Sequence, residues 1–269
     1  YLSTPSLSAQ DYEPVLAELT TQVWQLTQAT TLERIMILEQ AVAALQAGTL
    51  DDSLHQQALT NAHKLIGSLG TLNFDHGSHI ARHIEHLLNQ ARSPLLVPSL
   101  TQALTALRTE ISTPAPAIAP GSSRSDPGDA PIPEALPSPH KPQILILDDD
   151  PQILLIVKTL LAVHNVQVTG LTDPAQIWQS LDSVQPDLLI LDIQMPGMDG
   201  LQVCQAVREH PQWQWLPIMF LTVQTDRQTM QQGFAVGADD YLSKPIVPEE
   251  FWTRVHNRLK RTQVLRHSS

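Results

Sequence analysis

The chain has 269 residues, 42% of them hydrophobic and 16% charged, a globular balance long enough for two domains of ordinary size. A net charge of −11, negative in both halves, excludes a basic nucleic-acid footprint, and no apolar run approaches the roughly 18 residues of a membrane span. The single cysteine, Cys204, excludes an intrachain disulfide and a Cys-based zinc site, and fits a reducing, cytoplasmic setting. Because the first residue is Tyr1 and not Met, the sequence is expected to be a piece of a longer protein.

Residues 10–112 carry no strand pattern, and their apolar residues recur at three and four, the mark of a helical bundle. Helices are expected near 12–28, 31–47, 51–70, 76–91 and 95–111, with breaks at Ala29-Thr30, Gly48-Thr49, Asn73 to Asp75 and Ser93-Pro94. On the third, Leu54, Ala58, Ala62, Leu65, Ile66 and Leu69 share a face, and His63 falls roughly 115° from its centre, which predicts an exposed ring. Gly67 and Gly70 lie on the His63 side. A mid-helix Gly costs about 1 kcal/mol relative to Ala, so a pair beside one imidazole suggests that bulk is cleared for another protein to approach. Periodicity alone would read an ordinary surface histidine. On the next helix His76, His79, His83 and His86 share a stripe within about 80°. The spacing could hold a transition metal, but without Cys and with few acids a solvated face is the simpler reading.

Residues 113–141 are rich in Pro, Ser and Gly and have no periodicity, which predicts a linker between a domain at 1–112 and another at 142–269. The second domain alternates strand and helix. Strands are expected at 143–148, 166–170, 187–191, 216–221 and 239–242, and helices at 151–163, 174–182, 199–209, 226–235 and 247–262. Asp150-Pro151 and Asp173-Pro174 read as helix N-caps followed by Pro at the first helical position, and Thr225 with Gln228 as a capping box. The basic residues Arg258, Lys260, Arg261 and Arg266 continue the last helix, either as cations at a helix C-terminus or as a connector to an output domain.

The chemistry gathers at strand ends. The apolar run Leu188 to Leu191 stops at Asp192, and the run Gln143 to Leu147 stops at Asp148, Asp149 and Asp150. Ligands in open α/β sheets sit outside the carboxyl ends of the strands, so these acids face a crevice, and carboxylates crowded there call for a hard cation such as Mg²⁺. A helix cap accounts for Asp150 but not for Asp148 and Asp149. Thr222 and Lys244 end two further strands and offer a hydroxyl and an ammonium to phosphate oxygens.

DDDP at 148–151, DIQMPGMDG at 192–200, the Thr after an apolar strand, and GADDYLSKP at 237–245 resemble the response-regulator receiver family over residues 141–262. The resemblance implies a flavodoxin-like (βα)5 fold with a parallel sheet in order 2-1-3-4-5. It also implies Asp192 as phosphoacceptor, Mg²⁺ held by Asp149, Asp192 and the backbone carbonyl of Gln194, and Asp148 on a metal-bound water. Thr222 and Lys244 would bind the phosphoryl oxygens, Thr222 and Tyr241 would form a switch, and Lys244-Pro245 would be cis. Ala62 to Ser68, AHKLIGS, resembles the histidine phosphotransfer (HPt) family of four-helix bundles, with His63 as the phosphorylated residue and Gly67 four residues on. It departs at Ile66, where that family usually has Lys; Lys64 stands nearby instead.

The two resemblances imply a cytoplasmic phosphorelay protein carrying phosphoryl groups on His63 and Asp192. Its expected partners are a sensor histidine kinase, other receiver and HPt proteins and an output domain beyond the C-terminus, with no direct contact to nucleic acid. No Walker-type GxxxxGK[ST] loop occurs, so the chain is expected to transfer phosphoryl groups and slowly lose them without an ATP site of its own. The alternative is an interaction adaptor whose His63 is never phosphorylated. A hydrolase built on Asp192 is disfavoured, since Gln194 stands where such enzymes use a second acid.

Overall fold

Residues 9–90, 92–112, 141–223 and 227–267 are described by the structure, a computed structural model, with side chains described for 18, 20–90, 92–112, 141–223 and 228–260. The expected linker, 113–141, lies outside these residues except for its last position, and so does Thr225 of the expected capping box. Two compact units form: among the described residues, 17–112 fall in a helical one and 141–267 in an α/β one.

The helical unit contains α1, Ala9–Ala47, from Ala17 onward, a single helix of 39 residues where two were expected. The break foreseen at Ala29-Thr30 is absent because the β-branched polar residues find partners inside the helix: buried Thr27 donates its hydroxyl to the Val23 carbonyl at 2.8 Å, and buried Thr31 to that of Thr27 at 3.1 Å. Gly48, at φ 71°, ends the helix in the left-handed conformation that glycine adopts without cost. Helix α2, Asp52–Thr71, is capped by Asp51, whose carboxylate accepts from the Leu54 N–H at 2.7 Å. Helix α3, Asp75–Leu88, packs against α2, and α4, Val97–Ile111, follows a 3-10 turn at Pro94–Leu96. The face foreseen on α2 is the core face: Ala58, Ala62, Leu65, Ile66 and Leu69 are wholly buried, with Leu54 half-buried at its open end. Trp24 and Phe74 close the core, ring centroids 4.6 Å apart.

The α/β unit contains β1, Gln143–Leu147; α5, Pro151–Leu161; β2, Gln167–Leu171; α6, Ile177–Val184; β3, Leu188–Leu191; α7, Gly200–Glu209; β4, Ile218–Thr222; α8, Arg227–Ala235; β5, Asp240–Ser243; and α9, Pro248–His267. All five strands are parallel, in the expected order β2-β1-β3-β4-β5. The central strands β1, β3 and β4 are buried almost throughout, as continuous apolar runs covered by helices on both faces require, while β2 lies at the edge and is half-exposed. Asp150 caps α5 by accepting from the Gln152 N–H at 2.9 Å. Asp173 caps only a 3-10 turn, Pro174–Gln176, so the regular helix starts three residues later than expected. Arg258 is not a free tail cation: its guanidinium grips Asp240 through two 3.0 Å hydrogen bonds. Among the described residues no helix is long and apolar enough to cross a membrane.

Candidate functional site

Strand register builds the first site. Leu147 of β1 pairs with Leu191 of β3, so the next residues, Asp148 and Asp192, leave adjacent strands side by side. The Asp192 N–H, donating to the Leu147 carbonyl at 2.9 Å, extends the ladder by one step and fixes that alignment. On the other flank, the last residue of β4, Thr222, pairs with Ser243 of β5, and the Lys244 N–H donates to the Thr222 carbonyl at 2.7 Å before a cis Lys244-Pro245 bond. Leu191 of β3 pairs with Phe220 of β4, so Asp148 and Asp192 stand level while Thr222 and Lys244 lie one and two residues further along their strands.

Their side chains converge. Asp148, Asp192, Thr222 and Lys244 are all buried, and Asp149 is partly exposed at the mouth. Donor oxygens of Asp148, Asp149 and Asp192 lie within 4.8 Å of one another, a hard-oxygen set suited to a divalent cation. The Lys244 ammonium donates to Asp148 at 2.7 Å and stands 3.4 Å from an Asp192 oxygen. Burial pushes the Asp148 carboxyl upward, whereas for Lys244 the opposing effect of burial is outweighed by the charges of Asp148 and Asp192, which hold the ammonium protonated. Backbone donors fix the acids: Asp150 N–H to Asp148 and Ile193 N–H to Asp192, each at 2.9 Å. Gly200, at the start of α7, packs so tightly that a Cβ there would lie 2.0 Å from the Asp192 carbonyl oxygen. Gln194 is exposed in the turn between β3 and α7, and Tyr241 is buried with its ring 6.5 Å from that of Phe220.

The second site lies on α2. The His63 side chain is 19% exposed, and its Nδ1 lies 2.8 Å from Glu85 Oε1 on α3. Nε2 has no hydrogen-bond partner and is shielded from solvent. The exposed ring expected from the helical wheel is thus corrected: α3 packs along the flank of α2 that a wheel of α2 alone leaves open. Gly67 and Gly70 are corrected in the same way, since both are buried. Ile66, also wholly buried, belongs to the core and offers no charge to the site. Glu85 was missed in the sequence because the two residues stand on different helices. The signal available was an acid, Glu85, within a histidine-rich helix whose other acid, Asp75, stands in its first turn.

The Hpt domain family matches residues 22–113, and the response regulator receiver domain family matches residues 144–256. The chain joins an Hpt domain to a receiver domain. Both are domains of two-component phosphorelay signalling. The receiver half is 46% identical over 121 residues to Protein RcaC of Microchaete diplosiphon, a match covering 45% of this chain and 19% of that protein. It is 39% identical over 131 residues to the DNA-binding dual master transcriptional regulator RpaA of Synechocystis sp., covering 47% of this chain and 54% of RpaA. Among solved structures, the chemotaxis protein CheY4 of Vibrio cholerae aligns with 30% identity and a TM-score of 0.42, over 44% of this chain and 98% of its own. The receiver domain holds the acidic crevice, and the Hpt domain the His63-Glu85 pair.

Proposed function

We propose that this chain carries phosphoryl groups on Asp192 of its receiver domain and His63 of its Hpt domain, with Mg²⁺ at the receiver. The convergence of Asp148, Asp149, Asp192 and Lys244 at neighbouring strand ends carries the reading. Asp149, Asp192 and the Gln194 carbonyl would hold Mg²⁺, with Asp148 on a metal-bound water; the ion supplies neutralisation of charge on the transferred group.

In the receiver, a carboxylate oxygen of Asp192 attacks phosphorus in line, a P–O bond forms to Asp192, and the bond to the donor's nitrogen or oxygen breaks with its electron pair leaving on the donor. Lys244 and the Thr222 hydroxyl bind the incoming phosphoryl oxygens, and Thr222 with Tyr241 relays the change to the surface as a switch. In the Hpt domain, Glu85 accepts a hydrogen bond from Nδ1–H, which holds the tautomer with the lone pair on Nε2. That atom attacks the phosphorus of a partner's aspartyl phosphate, and the acyl P–O bond breaks to return a carboxylate. Positive charge developing on the ring is balanced by Glu85 at 2.8 Å. Nε2 must be uncovered for the step to occur.

The domain extents that accompany this reading are 1–112, 113–141 and 142–269, with a sensor kinase and other receiver or Hpt proteins as partners and a cytoplasmic setting. The shielding of Nε2 favours a second reading, an adaptor in which His63 is never phosphorylated. Labelling the full chain with phosphoramidate, with and without Mg²⁺, tests the receiver half: Mg²⁺-dependent label lost in Asp192→Asn supports it, and label that survives the substitution places the acceptor elsewhere. Labelling of His63 by a phosphorylated receiver decides between relay and adaptor.

A further inference from the structure

Helix α3 turns two faces to two different surroundings. Gly77, Ser78, Ala81, Ile84, Leu87 and Leu88 are buried against the bundle, while His76, His79, His83 and His86 are all exposed. The other histidines whose side chains are described are engaged: His55 with the Leu88 carbonyl, His63 with Glu85, His164 and His256 against Trp252, and His210 against Trp178. The four on α3 have no such partner among the described residues. Four imidazoles on one solvent face of a 14-residue helix, none of them used in packing or capping, stand where nitrogen ligands are free to take a ligand.

Spacing selects which of them can act together. His79 and His83 are four residues apart, so their Cβ atoms stand about 6 Å apart along the axis and roughly 40° around it, one above the other on the same stripe. Two imidazoles so placed can close on one ion from a single helical turn, as the paired histidines of helical zinc sites do. His76 and His86 stand three residues outside this pair, each beside one of its members. We propose that the exposed face of α3 is a binding site for a divalent transition-metal ion of the Cu²⁺, Ni²⁺ or Zn²⁺ class, chelated by His79 and His83 with water completing the coordination. Imidazole nitrogen suits these ions and not Mg²⁺, so the site is chemically distinct from the carboxylate crevice of the receiver, the one place among the described residues where three such donors already converge. It is also distinct from the His63 site, because Glu85 lies roughly 140° around α3 from the middle of the pair. An ion held there joins successive turns of the helix that carries Glu85, so occupancy raises the thermal stability of the Hpt half.

The test is a calorimetric titration of Ni²⁺, and separately of Zn²⁺ and Cu²⁺, into the full chain with millimolar Mg²⁺ present to occupy the carboxylates. One ion per chain is expected at this site, in the affinity order Cu²⁺ above Ni²⁺, with Zn²⁺ below Cu²⁺. His79→Gln and His83→Gln should each weaken it at least about tenfold, because either removes the chelate. Both positions are exposed, so circular dichroism of each variant should match the parent. Electron paramagnetic resonance of the Cu²⁺-loaded chain should show coupling to two nitrogens, reduced in either variant. Absence of binding in the parent overturns the proposal, as does binding or nitrogen coupling unaltered by both substitutions.

Discussion

A carboxylate 2.8 Å from His63 Nδ1 favours the tautomer with the proton on Nδ1 and, in the proposed transfer, would oppose the positive charge that grows on the ring as Nε2 attacks. Removing that charge while keeping the shape, Glu85→Gln, should slow phosphorylation of His63 about tenfold, the rate equivalent of ~1.4 kcal/mol, with the fold retained. The check is single-turnover transfer from a phosphorylated receiver; an unaltered rate would mean that the pair only packs α3 on α2. Val223, buried directly after Thr222, stands where receivers usually have Ala or Gly. A branched side chain here is expected to crowd the way to Asp192, so Val223→Ala should speed labelling by small phosphodonors several-fold, and an unchanged rate would mean that it points away. At this scale the acidic crevice was legible because each of its groups directly follows an apolar strand, Asp148 and Asp149 the same one. Glu85 was not, because two helices 22 positions apart in sequence must pack before it meets His63.

Among the elements, the turn from β3 into α7 is the most tightly built. A Cβ at Gly200 would meet backbone, which cannot swing aside as a flexible side chain can. Gly200→Ala should therefore destabilise the receiver by about 3 kcal/mol or more and displace Asp192, seen as a lower urea midpoint together with lost labelling. A second device couples the end of α5 to α9, where the His164 ring stacks on Trp252 at 3.6 Å. Burial, aided by the nearby His256, lowers the His164 pKa from 6.5 to about 4. Unfolded chain takes up this proton near pH 6.5 and folded chain only near 4, so the stability it contributes is complete above 6.5 and is lost as pH falls through that window. After allowance for partial exposure the loss is on the order of 2 kcal/mol. Urea unfolding at about pH 7.5 and 5 should show a stability gap that narrows in His164→Phe. An equal gap in that variant would assign the acid sensitivity to other groups. The strands were readable as apolar runs between turn formers. The single α1 was not, because Thr27 and Thr31 look like breakers until their hydroxyls are seen to bond one turn back.

The proposed function gives the molecule two carriers, a nitrogen on the Hpt domain and a carboxylate on the receiver, and phosphoryl groups on the two differ in chemistry: phosphohistidine is acid-labile and base-stable, whereas aspartyl phosphate is lost in base. The decisive measurement supplies the full chain with Mg²⁺, a small phosphodonor and a phosphorylated receiver, then follows the stability of the label in parent, Asp192→Asn and His63→Gln chains. The parent should carry both kinds of label, Asp192→Asn should lose the base-labile fraction, and His63→Gln the fraction that survives base. Base-labile label persisting in Asp192→Asn, or base-stable label persisting in His63→Gln, would contradict the assignment of these two residues as the carriers.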